Sequence, residues 1–511
     1  MAGRQGAGMA GAAGIGTAGG AGSGGAGATA GSAGTAGSAG TAGASGTGGA
    51  TTAPLPRLVT SAPNAYWKVD GMLTEVTSGT ADVTVNDTSV AQTWEGFGGA
   101  FNELGWKYLS LLSQADRDAA LKLLFGADGA RFNMGRIPMG ASDYAIARYT
   151  LDETPGDTAM ASFSISQDMT NLIPYVKAAM AVRPDLRFWS SPWTPPTWMK
   201  VSPFQENSTA GTSPFDGGTM KNDAATLRAL ALYFVKFVQQ YAQQGITIET
   251  VAPQSEPNFG QNYPSCLWDT VTFTSFIGQY LGPALQAANL TTNIMLGTMS
   301  NGSADPAVVT AVLADTTAKS YVKMIGMQSG MLEKISGAKA SGLPLWQTEH
   351  MPGNCPYPAA RCASITPKGT KTAAPNDQVY AVESWNNIHD WINAGVSSYS
   401  AWNMVLDSFG LGIDSNRVWD QNALLVVDTE TKKLTVTPAY YVFRHLSQYV
   451  EPGAKVVATT GGSALAFKNP SGAIVTVLFN SGAAKTAIVS AAGKMFSFAM
   501  PENGWATVTS Q

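Results

Sequence analysis

Leu343–His350 reads LPLWQTEH, an apolar strand pattern that ends on the carboxylate Glu349. Much earlier in the chain, Val251–Pro257 reads VAPQSEP, and its apolar pattern ends on Glu256 in the same way. A carboxylate at the end of a buried strand is costly unless a site uses its charge, because the ion loses its hydration there. We therefore infer that both glutamates point at one pocket, which is possible if the two strands belong to one closed barrel.

Outward from these two stretches, the region 94–446 alternates apolar strand patterns with amphipathic helical patterns. Eight strands that alternate with helices predict a (β/α)8 TIM barrel, in which the carboxyl ends of all strands form one face. The predicted strands are Trp94–Phe101, Arg131–Met139, Leu186–Trp193, Thr250–Glu256, Asn293–Met299, Val322–Gln328, Leu343–Glu349 and Ser397–Asn403. The predicted helices are Leu104–Leu124, Met169–Ala181, Asp223–Gln243, Thr272–Ala287, Pro306–Leu313, Met331–Ala340 and Val379–Asn393.

By this count Glu256 and Glu349 end the fourth and seventh strands, so a closed barrel gives them a common pocket. An open doubly wound sheet is the alternative, but no glycine-rich phosphate loop follows the first strand pattern. Cleavage of a glycosidic bond uses a carboxyl pair, one group to protonate the leaving oxygen and one to attack the anomeric carbon. The pair predicts this chemistry, and we expect no cofactor because carboxyl groups supply both steps.

The two ends of the chain differ from the middle. Residues 1–53 consist of Gly, Ala, Ser and Thr with almost no charged or aromatic residues, which predicts a disordered linker. Residues 54–93 and 447–511 carry short alternating β-branched segments separated by turn residues, for example Ala81–Asn86 and Ile474–Phe479. We expect an all-β sandwich side domain built from both ends of the ordered chain.

Composition limits the partners and the location. The net charge is −4 and charged residues make up 13% of the chain, so no basic surface predicts a nucleic-acid partner. No apolar run is long enough to predict a transmembrane segment. The residues after Met1 do not read as a secretory signal, and we expect the natural start to lie upstream, in a secreted or cell-surface tethered monomer.

The cysteines and histidines do not predict a metal site, because their spacing matches no common ligand pattern. A loop disulfide between Cys355 and Cys362 and the absence of any disulfide are both open, and Cys266 could compete for Cys355. We expect all three histidines to be structural, including His350, which adjoins Glu349.

Further motifs are shared with one family of enzymes. These motifs are Gly96–Phe101, Arg136–Met139, Ser142–Tyr144, Ser191–Lys200, Tyr263–Pro264, Thr348–Glu349 and Trp402–Asn403. From about Trp94 to its C-terminus the chain resembles glycoside hydrolase family 30, the glucosylceramidase-like family. The resemblance implies a barrel joined to a β-sandwich and a retaining double displacement. In that mechanism Glu349 matches the nucleophile and Glu256 matches the acid/base.

The resemblance also implies substrate-binding residues. Arg136 matches a position that steadies the nucleophile, and a buried guanidinium needs a carboxylate partner in any case. Asp143 matches a position that hydrogen-bonds sugar hydroxyls. Trp193 and Trp402 match positions that line a glucose pocket, where flat rings suit the C–H face of a β-glucoside. Two further pocket candidates are Tyr144 and Tyr263.

Two positions depart from the family pattern. Ser255 stands where the family has an asparagine that contacts the sugar 2-hydroxyl, so we expect a substrate-binding serine with a weakened hydrogen bond. On the sixth strand, Gln328–Gly330 stands where glucosylceramidases carry a His-Trp-Tyr run. This change opens one wall of the expected pocket.

The expected activity is that of an O-glycosyl hydrolase on β-glucosides. One candidate substrate is glucosylceramide, which would place the enzyme in sphingolipid metabolism, or another simple β-glucoside. The alternative is internal cleavage of β-1,6-glucan, which the altered sixth strand, the long loop 352–376 and the linker favour. Xylan comes third, because no arginine signature for a glucuronate branch is found. An alternative of another class is a carbohydrate-binding surface protein with weakened catalysis, motivated by Ser255 and the missing sixth-strand aromatics.

Overall fold

The computed structural model describes residues 58–69, 73–207, 211–353, 377–413 and 421–511. The expected linker and the candidate disulfide between Cys355 and Cys362 lie outside the described residues. The first strands are β1 (Leu58–Ala62), β2 (Ala65–Val69), β3 (Thr74–Val76), β4 (Val83–Thr93), β5 (Gly96–Ala100), β6 (Met134–Pro138), β7 (Arg187–Ser191), β8 (Lys200–Asn207), β9 (Gly211–Met220), β10 (Ile248–Val251), β11 (Asn293–Met299), β12 (Val322–Met327), β13 (Leu345–His350) and β14 (Ser398–Asn403). The remaining strands are β15 (Val405–Asp407), β16 (Leu425–Val427), β17 (Leu434–Val436), β18 (Lys455–Thr460), β19 (Ser463–Lys468), β20 (Ile474–Asn480), β21 (Lys485–Ala491), β22 (Lys494–Met500) and β23 (Gly504–Ser510).

The helices follow the predicted alternation. They are α1 (Glu103–Leu109), α2 (Gln114–Phe125), α3 (Leu172–Val182), α4 (Ala224–Gln243), α5 (Thr270–Ser275), α6 (Gly282–Ala287), α7 (Asp305–Ala314), α8 (Thr316–Tyr321), α9 (Ile335–Lys339), α10 (Gln378–Ala394) and α11 (Pro438–Ser447). A π-helical stretch, Phe276–Leu281, joins α5 to α6, and 3-10 turns lie at Thr197–Met199 and Ser329–Lys334. The single helix expected over Leu104–Leu124 is wrong, because Ser113 accepts a hydrogen bond from the Asp116 backbone N–H and starts a second helix there.

Eight parallel strands close into a barrel in the order β5, β6, β7, β10, β11, β12, β13 and β14, with β14 pairing with β5. The expected (β/α)8 barrel is therefore confirmed. Large apolar side chains fill its interior, so the barrel is packed and the open space lies at its ends. These residues are Met134, Trp189, Ala252, Met295, Met324 and Trp346.

The fourth strand ends earlier than expected. β10 ends at Val251, so Glu256 lies in the loop beyond the strand, whereas Glu349 lies within β13. Pro253 has no backbone N–H to continue the hydrogen-bond ladder, which explains why pairing stops before the glutamate. Both residues nevertheless lie at the carboxyl-end face of the barrel, Glu349 near the end of its strand and Glu256 beyond the end of its own.

The side domain draws its strands from both ends of the described chain, which confirms the expected sandwich. One ten-stranded sheet has the order β2, β1, β23, β20, β19, β18, β4, β21, β22 and β3. It packs on the barrel partly through α11, whose buried His445 hydrogen-bonds Ser61 Oγ and Thr507 Oγ1, each at 2.8 Å. Burial lowers the pKa of His445 to about 3, so this histidine is neutral and structural.

Candidate active site

Arg136 is the centre of the site. It lies within β6, is 1% exposed, and its Nη1 donates to Glu349 Oε2 at 2.5 Å. Its Nη2 donates to Ser255 Oγ at 2.8 Å and to Ser191 Oγ at 3.0 Å. One guanidinium therefore connects β6, β7, the loop after β10 and β13, which brings the surroundings of the two glutamates together.

Three indole rings surround the same guanidinium. Its carbon lies 4.1 Å from the ring centroid of Trp193, 4.9 Å from that of Trp189 and 5.2 Å from that of Trp402. The electron-rich faces of these rings partly replace the lost hydration of the cation. Together with Glu349, they explain how a charged side chain is tolerated at almost complete burial.

Glu349 is held from two directions. Its carboxylate is bound by Arg136, and its backbone carbonyl accepts a hydrogen bond from Gln347 Nε2 at 2.7 Å. The Glu349 side chain keeps 16% exposure, so it remains accessible from the barrel mouth. The adjacent His350 is held separately. One of its ring nitrogens lies 3.0 Å from Ser384 Oγ and the other lies 2.9 Å from Tyr399 OH.

Glu256 has an unusual backbone conformation. Its φ is +52°, in the left-handed region that side chains other than glycine rarely adopt. Its N–H donates to Thr298 O at 3.0 Å, and its carbonyl accepts from the Phe259 N–H at 3.1 Å. Such a residue costs of order 1–3 kcal/mol and persists only where its surroundings enforce it.

One buried aspartate helps to enforce this turn. Asp305, at the start of α7, accepts hydrogen bonds from Asn258 Nδ2 at 2.6 Å, from the Ser300 N–H at 2.6 Å and from the Asn301 N–H at 2.8 Å. Asn258 follows Glu256 closely, so Asp305 ties the loop after β10 to the loop after β11.

The carboxyl group of Glu256 contacts uncharged polar groups. Gln328 Nε2 donates to its Oε1 at 3.0 Å, Tyr263 OH donates to its Oε2 at 3.3 Å, and the Ser300 side chain is a third hydrogen-bond partner. These surroundings differ from those of Glu349, which has a cation as its direct partner.

Electrostatics separate the two carboxyl groups. Burial raises the pKa of both Glu256 and Glu349, and the nearby charge of Asp143 acts in the same direction on each. Arg136 opposes this increase, and its direct ion pair is with Glu349. The ion pair with Arg136 therefore favours the ionised form of Glu349 more strongly than that of Glu256.

Aromatic side chains form the adjoining wall. Trp193 and Trp402 stack with ring centroids 5.1 Å apart at an interplanar angle of 25°, and Tyr144 meets Trp402 edge-on at 6.1 Å. Tyr144 is fully buried, and its OH donates to Gly410 O at 3.4 Å. The buried indole N–H of Trp402 has no hydrogen-bond partner among the described residues.

Asp143 lies in the loop after β6, is 4% exposed, and its backbone carbonyl accepts from the Ile413 N–H at 2.7 Å. The loop is further held by a chain of side-chain hydrogen bonds across three strands. Ser142 Oγ donates to Asn102 Oδ1 at 3.1 Å, Asn102 Nδ2 donates to Asn403 Oδ1 at 2.9 Å, and Asn403 Nδ2 donates to Gln421 Oε1 at 2.6 Å.

A hairpin that the sequence patterns did not indicate borders the site. β8 and β9 pair after β7, and Lys200 Nζ fastens them by donating to Phe215 O, Gly217 O and Ser265 O at 2.9 to 3.0 Å. The ion pair between Arg148 and Asp216, at 2.8 Å, ties the hairpin to the loop after β6. The hairpin thereby packs against the segment that carries Tyr263.

Sequence reasoning placed Ser255 at the substrate, but its hydroxyl accepts a hydrogen bond from Arg136 and the residue is only 2% exposed. Sequence reasoning also missed the contact from Gln328 to Glu256 and the asparagine chain around Asp143. Among the described residues, no group of His, Cys, Asp or Glu could hold a metal ion. The described helices include none whose length and hydropathy suit a membrane span.

A packed barrel whose carboxyl-end face carries two partly buried glutamates with different hydrogen-bond partners is typical of one class of enzyme. The chain is a glycoside hydrolase. The comparison with known families is more specific, because the glycosyl hydrolase family 30 TIM-barrel domain matches residues 94–450 and the family 30 β-sandwich domain matches residues 453–508. The chain therefore belongs to glycoside hydrolase family 30.

The chain is similar to relatives whose names give two different activities. The chain is 27% identical to the lysosomal acid glucosylceramidase of Mus musculus over 419 residues, which cover 78% of this chain and 77% of that protein. It is 31% identical to the endo-1,6-β-D-glucanase BGN16.3 of Trichoderma harzianum over 221 residues, which cover 42% of this chain and 45% of that protein.

Solved structures share the whole architecture. The crystal structure of SrfJ from Salmonella typhimurium superposes with a TM-score of 0.76 at 20% identity, covering 89% of this chain and 99% of that one. The endo-β1,6-glucanase BT3312 superposes with a TM-score of 0.74 at 24% identity, covering 88% and 98%. At these identities the likeness concerns the fold.

Proposed function

We propose that this enzyme hydrolyses β-glucosidic bonds with retention of configuration, with Glu349 as the nucleophile and Glu256 as the acid/base. The observation that carries the proposal is the unequal bonding of the two carboxyl groups. Arg136 binds Glu349 directly, while amide and hydroxyl groups bind Glu256. A nucleophile must be ionised and an acid must hold a proton, so these surroundings suit the two roles.

The reaction proceeds in two displacements. A Glu349 carboxylate oxygen bonds to the anomeric carbon as the bond to the leaving oxygen breaks, and the proton of Glu256 moves to that oxygen. A water molecule then loses a proton to Glu256 as its oxygen bonds to the anomeric carbon and the bond to Glu349 breaks. Retaining enzymes place the carboxyl groups about 5–5.5 Å apart, too close for a water between them.

Binding residues support the charge changes of this reaction. Arg136 stabilises the ionised form of Glu349 before it attacks, and Asp143 orients sugar hydroxyls. Trp193 and Trp402 offer flat faces for the sugar ring, and the indole N–H of Trp402 offers a hydrogen bond. Ser255 acts through Arg136 rather than on the sugar.

The configuration of the first product tests this proposal. Proton NMR spectra recorded during early turnover of an aryl β-glucoside should show the β-anomer of the released sugar before mutarotation. An α-anomer would contradict retention and the nucleophilic role of Glu349. Binding of the glucoside without any release would support the alternative of a carbohydrate-binding protein with weakened catalysis.

There are two candidate substrates, and the name of at least one relative supports each of them. The similarity to a glucosylceramidase extends over most of the chain, which favours glucosylceramide or another simple β-glucoside and a role in sphingolipid metabolism. Endo-β-1,6-glucanase action is the second candidate. It is favoured by Gln328–Gly330 in place of aromatic residues.

Product sizing on a substrate panel separates these candidates. β-1,6-Glucan, glucosylceramide, xylan and aryl β-glucosides would be incubated with the full chain, and the products resolved by size. Short β-1,6-linked oligomers at early times support endo action, whereas release of glucose and ceramide supports the lipid substrate. We further propose that the enzyme is a secreted or cell-surface tethered monomer, which cell fractionation and light scattering test.

A further inference from the structure

Gln328 joins the surroundings of the two glutamates. It directly follows Met327, the last residue of β12, and is 1% exposed. Its Nε2 lies 3.0 Å from Glu256 Oε1, its Oε1 lies 3.2 Å from Thr348 Oγ1, and its backbone N–H donates to Met299 O at 2.8 Å. Thr348 immediately precedes Glu349. The Gln328 amide therefore connects β13, which carries Glu349, to the carboxyl group of Glu256.

Two contacts together orient this amide. A glutamine amide presents an acceptor oxygen at one end and a donor nitrogen at the other. Thr348 Oγ1 lies at the Oε1 end, and the NH₂ end donates to Glu256, which accepts in its ionised form. The same threonine hydroxyl also lies 3.2 Å from Met327 O, so it keeps an acceptor if the Gln328 amide is removed.

Gln328 differs in kind from the other partners of Glu256. The hydroxyls of Tyr263 and Ser300 can donate or accept, so they adapt when the carboxyl gains or loses a proton. An amide nitrogen only donates, and a donor stabilises the ionised form of a carboxyl group. The oxygen that accepts from this donor is the better acceptor without a proton, so the contact favours the proton of Glu256 on Oε2.

We propose that Gln328 is a positioning residue that holds Glu256 by Oε1, keeps its proton on Oε2, and favours the return of Glu256 to the ionised form for the second displacement. This inference rests on the proposed function, in which Glu256 is the acid/base. The proton on Oε2 is then the one delivered to the leaving oxygen. The ionised group formed by that transfer is the one that accepts a proton from water.

The charged groups that act on Glu256 are Arg136, Asp143 and Glu349, whereas Gln328 is uncharged and does not titrate. Arg136 on β6 favours the ionised form of Glu256, and Asp143 in the following loop opposes it. Glu349 on β13 shares the charge balance of the same pocket. The contribution of Gln328 is therefore constant over the working pH range, and replacing the amide changes one interaction without adding or removing a charge.

Gln328→Met removes the amide at similar side-chain length and tests the proposal. The carboxyl carbon of Glu256 would be followed by NMR through a pH titration of the full chain labelled with ¹³C-glutamate, with its signal assigned by its loss in Glu256→Gln. The loss of one hydrogen bond to a charged group should raise the pKa of Glu256 by about one pH unit. The apparent pKa on the alkaline side of the kcat/KM profile should rise by the same amount, because it reports ionisation of the acid.

Gln347→Met is the matched control. Gln347 is a buried glutamine on the neighbouring strand, and it donates to the backbone carbonyl of Glu349 rather than to a carboxyl group. Its replacement should lower the melting temperature while the titration of Glu256 stays in place. Thr348→Val, which removes the hydroxyl that orients the amide, should shift the titration in the same direction as Gln328→Met by a smaller amount.

Three results would overturn the inference: an unmoved Glu256 titration in Gln328→Met, a change in melting temperature alone, or an equal shift in Gln347→Met. Failure of the proposed function would look different. Glu256→Gln would then keep full turnover of a substrate with a poor leaving group, while the NMR titrations would still report on the contact between Gln328 and Glu256.

Discussion

A glutamate lies near the end of β13 and another lies beyond the end of β10, but the backbone conformations at the two positions differ. Glu349 lies within β13 and is ion-paired to a buried arginine. Glu256 lies beyond its strand at a φ of +52°, and its carboxyl group contacts an amide and two hydroxyls. A cation favours only the ionised carboxylate, whereas hydroxyls serve both protonation states. The partners, rather than the glutamates themselves, therefore suit the two different roles that we propose for these carboxyl groups.

Replacement of Glu349 should give the largest effect, because the first displacement has no other nucleophile. Glu349→Ala should lower kcat by about 10⁴-fold or more on every substrate, whatever its leaving group. Sodium azide should restore part of the rate on a reactive aryl glucoside, because it can attack the anomeric carbon from the space left by the Glu349 carboxyl group. The product should be the α-glucosyl azide, since only one displacement remains, and a β-azide from this variant would contradict the assignment.

Glu256→Ala should show the contrasting pattern. Turnover of a substrate with a poor leaving group should fall by about 10²–10⁴-fold, which is the usual contribution of a positioned proton donor. The first displacement of a dinitrophenyl glucoside should change far less, because that leaving group needs no proton. Azide should here give the β-glucosyl azide by attacking the intermediate on Glu349. Equal losses on both substrates would remove Glu256 from the acid role.

The two serines that bind Arg136 allow a finer test. Ser255→Ala and Ser191→Ala each remove one acceptor from the same guanidinium nitrogen, and each should lower kcat/KM by about three- to tenfold. Similar losses mean that Ser255 acts through Arg136. A larger loss in Ser255→Ala, confined to substrates that carry a 2-hydroxyl, would mean that Ser255 contacts the sugar directly, as the family pattern suggested.

Much of the fold was predictable, because period and alternation are local properties of the sequence. All eight barrel strands lie within or next to the predicted ranges, and the β-rich ends form the expected sandwich. The misses arise from local stereochemistry that the period does not contain. Ser113 divides one apparent helix in two, and Pro253 ends the fourth strand before Glu256.

The geometry of the site was less predictable than its members. Glu256, Glu349 and Arg136 follow from carboxylates and a guanidinium at strand ends, but their hydrogen-bond partners are distant in sequence. The hydroxyl of Ser255 turns toward Arg136 on another strand, and the amide of Gln328 reaches a loop two strands away. Such contacts depend on the closure of the barrel and on side-chain packing, which no local pattern encodes.

The smallest effect concerns the backbone contrast itself. At Glu256, the Gly variant should be more stable than the Ala variant by about 1 kcal/mol, because glycine adopts a positive φ without strain. At Glu349, on an extended strand, the order should reverse, and Ala should be more stable than Gly by about 0.5–1 kcal/mol. Chemical denaturation of the four variants measures both differences, and each Gly–Ala pair cancels the loss of the carboxyl group. The same sign at both positions would mean that the turn at Glu256 is not strained, and that its carboxyl group is placed by its hydrogen bonds alone.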